Sequence, residues 1–477
     1  MRSLDAVGFA SLACMALVAS CGSERARFAD VAPDAGAIRA EASADAADAG
    51  GSLLSDANGP CTNLQCQEVD CVDLPDTTIS GIVFDPAGVN PLYDVIVYIP
   101  NSPVQPFQPG VVCDQCGVLA SGAPVVSALT GPDGRFVLHH APVGGSIPLV
   151  IQLGKWRKQL VIPYVTACQN TFMDDPSQMR LPASQGEGDM PQMAIATGGC
   201  DPFECLLRKI GVDASEFTDA NGSGKVHVYQ GTGGASISAS TVPAAQLWAS
   251  AGITSYDLVI NACECGEEPA EKPQSSIDNL VAYANAGGRL FNTHYHYYWI
   301  DPTKITSPPP TSTNAAWQST ATFMQEEDGT SSILGYIDET FPKGLAFAQW
   351  MMNVGGSTAE GSFPLAQVRY NASGANPPST QWVSNPNTGE TDIGSDALLH
   401  YTFDTPVGLP PNLQCGKVLF SDFHVVPPTD GDGTTFPQEC DTQSMSPQEL
   451  ALEFMLFDLS ACIQQDTQMP QPPAPLQ

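Results

Sequence analysis

Residues 256–261, YDLVIN, and residues 287–294, GGRLFNTH, are the most informative stretches for the fold of this chain. Each stretch contains a short apolar run that is typical of a buried strand. The segment between them, residues 276–286, has the apolar spacing of an amphipathic helix, and two glycines follow it, which is a common signal for a helix end. A strand, a helix and a second strand in this order predict a βαβ unit with parallel strands.

The same alternation continues on both sides of this unit. Further strand-like runs occur at residues 193–197, 226–229 and 417–420. Asp201 and Glu204 have the spacing of a capping box and predict that a helix begins after the first of these runs. We therefore expect residues 190–462 to form an α/β domain with an open, mostly parallel sheet of about five strands. The polar, Pro-rich stretch before the last strand is expected to be an insertion.

The part of the chain before this domain has a different pattern. Short apolar runs at residues 79–84 and 95–99 alternate with turns such as Pro132-Asp133-Gly134. This pattern predicts a small β-sandwich over residues 61–185. Residues 79–83, ISGIV, resemble the first strand of the carboxypeptidase regulatory-like (prealbumin-like) family. The resemblance implies a module that carries no chemistry of its own.

Four polar segments directly follow predicted strands of the α/β domain. They are residues 198–201, 263–266, 293–296 and 421–424. The carboxyl ends of parallel strands meet at one edge of a sheet, where binding sites form. The candidate acid, base or nucleophile residues at this edge are Glu264, Thr293 and Asp422, of which Glu264 is the best general-base candidate.

Histidines at the same edge suggest a metal. His294 and His296 are two residues apart, so on an extended backbone both side chains would face the same way. With His424 as a third ligand, or Asp422 in its place, they form a candidate site for zinc or a similar ion. One alternative is a binding pocket without metal, whose aromatic wall would stack on sugars or other flat ligands. Its wall would consist of Tyr295, Tyr297 and Trp299. The other alternative is plain packing of all these side chains in a core.

Residues 256–294 and the later segment GKVLFSDFH at 416–424 resemble the class I glutamine amidotransferase-like superfamily, nearest to its trehalose-utilisation-type branch. The resemblance implies a flavodoxin-like α/β fold. In the amidotransferases a nucleophilic Cys follows the Gly-Gly strand, where this chain has Thr293 and His294. A Glu two residues after His424 is also missing. Glutamine hydrolysis is therefore disfavoured.

The cysteines indicate an oxidising compartment, since the chain has 15 of them. Loss of Cys14 with a signal peptide and lipidation of Cys21 would leave 13, so at least one thiol cannot pair within the chain. Disulfide bonds in the first domain are expected to involve Cys61, Cys66 and Cys71. The further candidate pairs are Cys113 with Cys116, Cys200 with Cys263, and Cys415 with Cys440. For the segment Cys263-Glu264-Cys265, a metal-binding or nucleophilic role is the alternative.

The N-terminus points to export. Residues 7–19 form an apolar run that is too short to span a membrane but suits a signal peptide of residues 1–20. The run leads into Val18-Ala19-Ser20-Cys21, which resembles the lipobox of bacterial lipoproteins. The resemblance implies that Cys21 is lipidated and, because Gly22 follows it, that the protein is sorted to the outer membrane.

Composition limits the partners. The chain has 18 Lys and Arg against 51 Asp and Glu, a net charge of −33, which would repel a phosphate backbone and excludes nucleic acid. Residues 21–60 predict a disordered tether, and the Pro/Gln-rich residues 463–477 predict a disordered tail.

Three functions stay open at this point. The first is a lipid-anchored envelope protein whose degenerate amidotransferase-like domain binds a ligand without catalysis, with carbohydrate as the candidate ligand class. The second is a secreted hydrolase that uses His294, His296 and His424, with zinc as the candidate cofactor. The third is a structural or adhesion protein of the envelope.

Overall fold

The computed structural model describes residues 61–475, except residues 118–119, 306–308, 328–331, 387–395, 428–434 and 442. The chain divides into residues 1–57 and a compact unit of residues 58–477, and every element below belongs to the second. The predicted signal peptide, Cys21 and the predicted tether lie outside the described residues. No helix in the described ranges has the length and apolar character needed to cross a bilayer.

The first part of the compact unit consists of strands. They are β1 (Thr78–Ile82), β2 (Ile96–Pro100), β3 (Pro124–Leu129), β4 (Arg135–Leu138), β5 (Gly144–Leu153), β6 (Trp156–Val165) and β7 (Asn170–Met173). They form a three-stranded sheet, β4-β1-β7, and a four-stranded sheet, β3-β2-β5-β6. Apolar side chains of both sheets, such as Ile79 and Ile99, belong to one buried cluster that extends to Leu456 in the last helix. The face-to-face packing of a sandwich and the boundary at residue 185 stay predictions.

The second part builds a ten-stranded sheet with the order β15-β14-β17-β18-β19-β12-β11-β8-β10-β9. Its strands are β8 (Met193–Thr197), β9 (Phe217–Asp219), β10 (Val226–Gln230), β11 (Leu258–Asn261), β12 (Arg289–Thr293), β14 (Ile333–Ile337), β15 (Ser362–Leu365), β17 (Thr380–Asn385), β18 (Ala397–Thr405) and β19 (Gly416–Ser421). A separate pair consists of β13 (Ala321–Glu327) and β16 (Tyr370–Ala375). The helices are α1 (Phe203–Lys209), α2 (Ala244–Ala249), α3 (Gln274–Asn285), α4 (Pro342–Asn353) and α5 (Pro447–Ser460). The result is a mixed α/β fold that is dominated by its sheets.

The predicted parallel strands are all present, but they are only half of the large sheet. The six neighbouring strands from β19 to β9 are parallel. The remaining four, β18, β17, β14 and β15, continue the sheet antiparallel. The expectation of about five strands is therefore corrected, because the stretch predicted to be an insertion supplies β14, β15, β17 and β18, and β9 lies between α1 and β10. Runs of small and polar residues such as YNASGA in β16 carry little strand signal, and burial of Trp382 and Tyr401 is what stabilises this region.

Helix boundaries agree in part with the sequence. The helix predicted over residues 276–286 is α3, and Gly287 follows it with a φ of +122°, which a glycine adopts without steric cost. The predicted capping box of Asp201 and Glu204 is wrong. Helix α1 has Pro202 at its N-cap and no side-chain cap, because the Asp201 carboxylate bonds elsewhere.

Six disulfides stabilise the compact unit. The pairs are Cys61–Cys66, Cys71–Cys168, Cys113–Cys415, Cys116–Cys462, Cys200–Cys265 and Cys205–Cys440. Pairing of the first three cysteines is confirmed, but the candidate pairs Cys113–Cys116, Cys200–Cys263 and Cys415–Cys440 are wrong. The two cysteines at 113 and 116 bond to distant segments that tertiary packing places beside them. Cys263 is the free cysteine among the described residues.

The expected disordered tail is also corrected for its described part, residues 463–475. Asp466 is 4% exposed, and it accepts hydrogen bonds from the hydroxyl of Thr402 at 2.6 Å and from the ammonium of Lys417. Further along, the Ser127 hydroxyl donates to the carbonyl oxygen of Pro473 at 2.6 Å. The segment is ordered because the buried ammonium of Lys417 needs a counter-charge, and Asp466 supplies it.

Candidate functional site

Four neighbouring strands carry the candidate site at one edge of the sheet. Strands β19, β12, β11 and β8 are adjacent and parallel, so the segments that follow them lie together. The segments after β8 and β11 are in close contact at Gly198. Any side chain there would clash, because its Cβ atom would lie 2.1 Å from the carbonyl oxygen of Cys263. The polar segments predicted from the sequence therefore do converge.

Three side chains at this edge are arranged like metal ligands. Cys263 follows β11, His294 follows β12 and His424 follows β19. One ligand atom of each lies within 4.8 Å of those of the other two, and all three residues are buried. The Sγ atom of Cys263 is 3.0 Å from Nδ1 of His294, and the two imidazole rings are 5.8 Å apart. The cluster thus combines one thiol and two imidazoles from three separate strand ends.

The backbone at His294 explains why its ring faces inwards. After β12 the chain does not stay extended but enters a 3₁₀ helix, His294–Trp299, and His294 has a φ of +43°. A residue other than glycine in this left-handed region costs about 1–3 kcal/mol and is common at functional sites. This is the turn at which the amidotransferase resemblance implied a nucleophile.

Burial governs the protonation of the thiol. It raises the pKa of Cys263 to about 12, and the nearby carboxylate of Asp201 acts in the same direction. The side chain is therefore a neutral thiol at neutral pH as long as no cation is bound. A metal ion reverses this preference, because a coordinating thiol is deprotonated by the charge of the ion.

His424 is oriented by its own backbone. Its Nδ1 lies 2.9 Å from the carbonyl oxygen of Val425. Since a carbonyl only accepts, this contact assigns the proton to Nδ1 and leaves Nε2 able to bind a metal. The carbonyl of His424 accepts a hydrogen bond from the side-chain amide of Gln448, which holds the segment against α5.

Asp201 lies behind the three candidate ligands. Its Oδ2 accepts hydrogen bonds from the Thr293 hydroxyl at 2.6 Å and from the backbone N–H of Cys263 at 3.4 Å. Its Oδ1 accepts from the backbone N–H of Val425 at 2.9 Å. Burial raises the pKa of Asp201 above its ordinary value, and His424 and these hydrogen bonds only partly oppose this effect.

His296 is not part of this cluster. Its Nε2 lies 2.9 Å from the carbonyl oxygen of Ala262, and its Nδ1 accepts from the indole N–H of Trp299 at 2.9 Å. Burial, followed by the charge of Lys272, lowers the pKa of His296 well below its ordinary value, so the ring is neutral. Side chains two residues apart do not face the same way in a 3₁₀ helix. The structure therefore replaces His296 by Cys263 in the candidate ligand set.

The predicted acid and base residues are engaged elsewhere. Glu264 forms a fully buried ion pair with Lys272 at 2.6 Å and accepts from the backbone N–H of Thr232. Thr293 donates to Asp201, and Oδ2 of Asp422 accepts from the backbone N–H of Asn371. These contacts favour structural roles for Glu264, Thr293 and Asp422.

The aromatic residues do not form the predicted pocket wall. Tyr297 and Trp299 are buried in the apolar cluster beneath this edge. The hydroxyl of Tyr297 donates to Glu267 at 2.8 Å. Only Tyr295 is partly exposed, and its ring centre is 3.9 Å from that of His294. An aromatic stacking surface made by these three residues is thus not available to a ligand.

Sequence reasoning assigned Asp201 to a helix cap and Cys263 to a disulfide. The odd number of cysteines required at least one free thiol, but it did not indicate that this thiol belongs to Cys263. No local pattern marks Asp201, because its three partners come from residues 62, 92 and 224 positions away.

Comparisons with known proteins add little to this picture. No family model matches the chain, and no curated protein does either. One similar solved structure is a ThuA-like protein from Bacteroides uniformis, with 12% identity, a TM-score of 0.29, and 55% of this chain aligned to 88% of that one. Two mutants of a type II cohesin–X-dockerin complex from Acetivibrio cellulolyticus have 15% and 17% identity and a TM-score of 0.15. Each covers 31% of this chain, and the alignments include 79% and 80% of those chains. Likenesses this weak carry no argument, so the α/β assignment depends on the strand order itself.

Proposed function

We propose that this chain is an extracytoplasmic metalloprotein that binds one zinc ion through Cys263, His294 and His424. The observation that carries the proposal is the placement of three ligand atoms within 4.8 Å of one another at a buried edge of a parallel sheet. The extracytoplasmic compartment is supported by the six disulfides.

The donor set suits zinc. Thiolate sulfur and imidazole nitrogen are its usual ligands, and zinc is normally bound by four groups in a tetrahedron. Three protein ligands leave a fourth position for water, whose pKa zinc lowers towards neutrality. This arrangement favours the hydrolase hypothesis over ligand binding on an aromatic wall, because Tyr297 and Trp299 are covered by the core.

Attachment to the outer membrane through a lipid on Cys21 is part of the same proposal. Its support is the apolar run of residues 7–19 and the segment Val18-Ala19-Ser20-Cys21. Binding of a carbohydrate or another envelope ligand also stays a proposal. A purely structural role has less support, since a structural core does not need a free thiol in contact with an imidazole.

The test is the metal content of the full mature chain, expressed without a His tag with zinc supplied and then measured by elemental mass spectrometry. We expect about one equivalent of zinc in the wild type. The variants Cys263→Ser and His294→Ala should lose it. His296→Ala is the matched control, two residues from a ligand, and should keep it. A folded wild type without metal, or equal zinc in Cys263→Ser, would overturn the proposal.

A second candidate function is supported by the distance of 3.0 Å between Cys263 Sγ and His294 Nδ1. The same pair could act as a nucleophile and its base, as in cysteine hydrolases. Burial opposes this role because it raises the pKa of the thiol. A metal-free wild type whose Cys263 is alkylated faster than in the His294→Ala variant would favour the nucleophile over the metal.

A further inference from the structure

A single buried carboxylate connects all three segments that carry the proposed zinc ligands. Asp201 accepts from the backbone N–H of Cys263, which is itself a ligand. It accepts from the hydroxyl of Thr293, the residue before His294. It also accepts from the backbone N–H of Val425, the residue after His424. We infer that Asp201 is the positioning residue of the proposed zinc site, and this inference depends on the proposed function.

The energetics of the position support this role. Asp201 is fully buried, and a buried carboxylate is costly unless hydrogen bonds compensate it. Its three donors come from the ends of β11, β12 and β19, so the carboxylate fixes the distance between segments that share no covalent link at this point. The adjacent Cys200 forms a disulfide with Cys265, which ties the turn that carries Asp201 to the turn that carries Cys263.

Charge gives Asp201 a second effect. Its carboxylate contacts the backbone N–H groups of Cys263 and Val425, so it lies beside two of the proposed ligands. A negative charge directly behind the ligand set favours any cation held by it. Groups of this kind behind metal ligands typically change metal affinity by about 10–100-fold when they are mutated.

Asp201→Asn is the informative substitution because it keeps the size of the side chain. It replaces one acceptor oxygen by an NH₂ group, which cannot accept a hydrogen bond. This NH₂ group must therefore face a donor, either the backbone N–H of Val425 or, on the other side, the Thr293 hydroxyl and the backbone N–H of Cys263. We expect zinc affinity to fall about 10–100-fold. The d–d absorption bands of the cobalt-substituted protein should shift, and its sulfur-to-cobalt charge-transfer band should persist because Cys263 is still a ligand.

Two further variants separate positioning from general stability. Glu453→Gln neutralises another fully buried carboxyl group, on α5, and should leave the cobalt spectrum and the zinc affinity unchanged. Thr293→Val removes the hydroxyl that donates to Asp201 and that also accepts from the backbone N–H of Cys263 at 3.0 Å. The carboxylate keeps its contacts with the N–H groups of Cys263 and Val425, so the loss of affinity should be smaller than in Asp201→Asn. If Asp201→Asn does not fold by circular dichroism, the spectrum of Thr293→Val decides.

The outcomes distinguish this inference from the proposed function. Zinc binding in the wild type with an unchanged affinity and cobalt spectrum in Asp201→Asn would overturn the positioning role and leave the zinc site intact. The positioning role is also overturned if Glu453→Gln weakens zinc binding as much as Asp201→Asn does. A wild type that binds neither zinc nor cobalt would overturn both.

Discussion

The two edges of the large sheet both bury ionisable side chains, but they do so in different ways. At the carboxyl ends of the parallel strands, Cys263, His294 and His424 direct ligand atoms at one another. At the opposite edge, lysines and aspartates neutralise each other. Lys343 pairs with Asp458 at 2.7 Å, and Lys417 contacts Asp466.

At the second edge both buried lysines lie against aspartates. Burial alone would lower the pKa of Lys343, but Asp458 and Asp466 raise it above its ordinary value. Asp466 is held in its charged form mainly by Lys417 and Lys343, which lower its pKa against the effect of burial. A cavity of about 500 Å³ lies beside these groups and is lined in part by Asp338, Asp404 and Asp466.

This contrast indicates which edge is built for stability. The carboxylates of the second edge already face the ammonium groups of Lys343 and Lys417. At the first edge, a neutral thiol next to two imidazoles has donor atoms that gain most from an added cation. Burial occurs at both edges, so burial alone does not identify a functional site. The chemistry of the partners does.

Removing a lysine from the ion pairs of the second edge should have the greatest effect on stability. Lys417→Met leaves Asp466 and Asp404 buried without their nearest cation, and breaking a buried pair from one side costs about 3–5 kcal/mol. Urea denaturation at neutral pH measures the change in the free energy of unfolding. Zinc content per folded molecule should not change, and a loss of zinc with unchanged stability would contradict the assignment of the two edges.

A smaller effect is expected from His296, which lies next to the proposed metal site without belonging to it. His296→Ala removes the acceptor of the Trp299 indole and the partner of the Ala262 carbonyl, and leaving such buried groups unpaired costs about 2 kcal/mol. Thermal denaturation followed by tryptophan fluorescence should show the loss of stability. If His296→Ala has wild-type stability, the contacts described for this ring are not formed.

A third buried set contains only acids, and its effect should be the weakest of the three. Burial raises the pKa of Asp85 to about 6 and that of Glu453 well above its ordinary value. Asn90 donates to Glu453 at 2.7 Å, and the negative charge of Asp85 further raises the pKa of Glu453. Raised values mean that the folded state holds protons that the unfolded state releases, so stability falls as pH rises from about 4 to about 6 and above.

Glu453→Gln should reduce this fall. Between about pH 4.5 and about pH 7.5 we expect the wild type to lose about 1–2 kcal/mol more free energy of unfolding than the variant. Asp94 and Asp404, whose pKa values burial raises to about 7 and about 6, add the same trend to both proteins and cancel in the difference. Equal losses in the two proteins would show that the pKa of Glu453 is not raised in the folded state.

The sequence predicted the parallel half of the fold well. Strands β8, β10, β11, β12 and β19 all correspond to apolar runs bounded by turn residues, and α3 has clear amphipathic spacing. The four antiparallel strands were missed because strands such as β17, TQWVSN, contain many polar residues. The conformation of β17 depends on pairing with its neighbours in the sheet, as for Val383 with His400.

For the candidate site, the sequence predicted the strand ends that converge and two of the three clustered residues, His294 and His424, but it favoured a disulfide for Cys263. The topological rule that parallel strands end at one edge brought His294, His424 and Cys263 together correctly. The assignment of His296 as a ligand assumed an extended backbone, and the turn into a 3₁₀ helix overturned it. The predicted disulfide between Cys200 and Cys263 is wrong, because Cys200 pairs with Cys265, two residues after Cys263.

The amino-acid sequence was sufficient to establish an α/β chain with an oxidised set of cysteines, one of which had to stay free, and a polar edge where strands end. These features follow from local apolar spacing, turn residues and simple counting. The three-dimensional packing was needed to establish that Cys263 is the free thiol among the described residues, that His296 faces the core, and that Asp201 connects three strand ends. Those choices depend on contacts between residues far apart in the chain, and such contacts leave no trace in local sequence patterns.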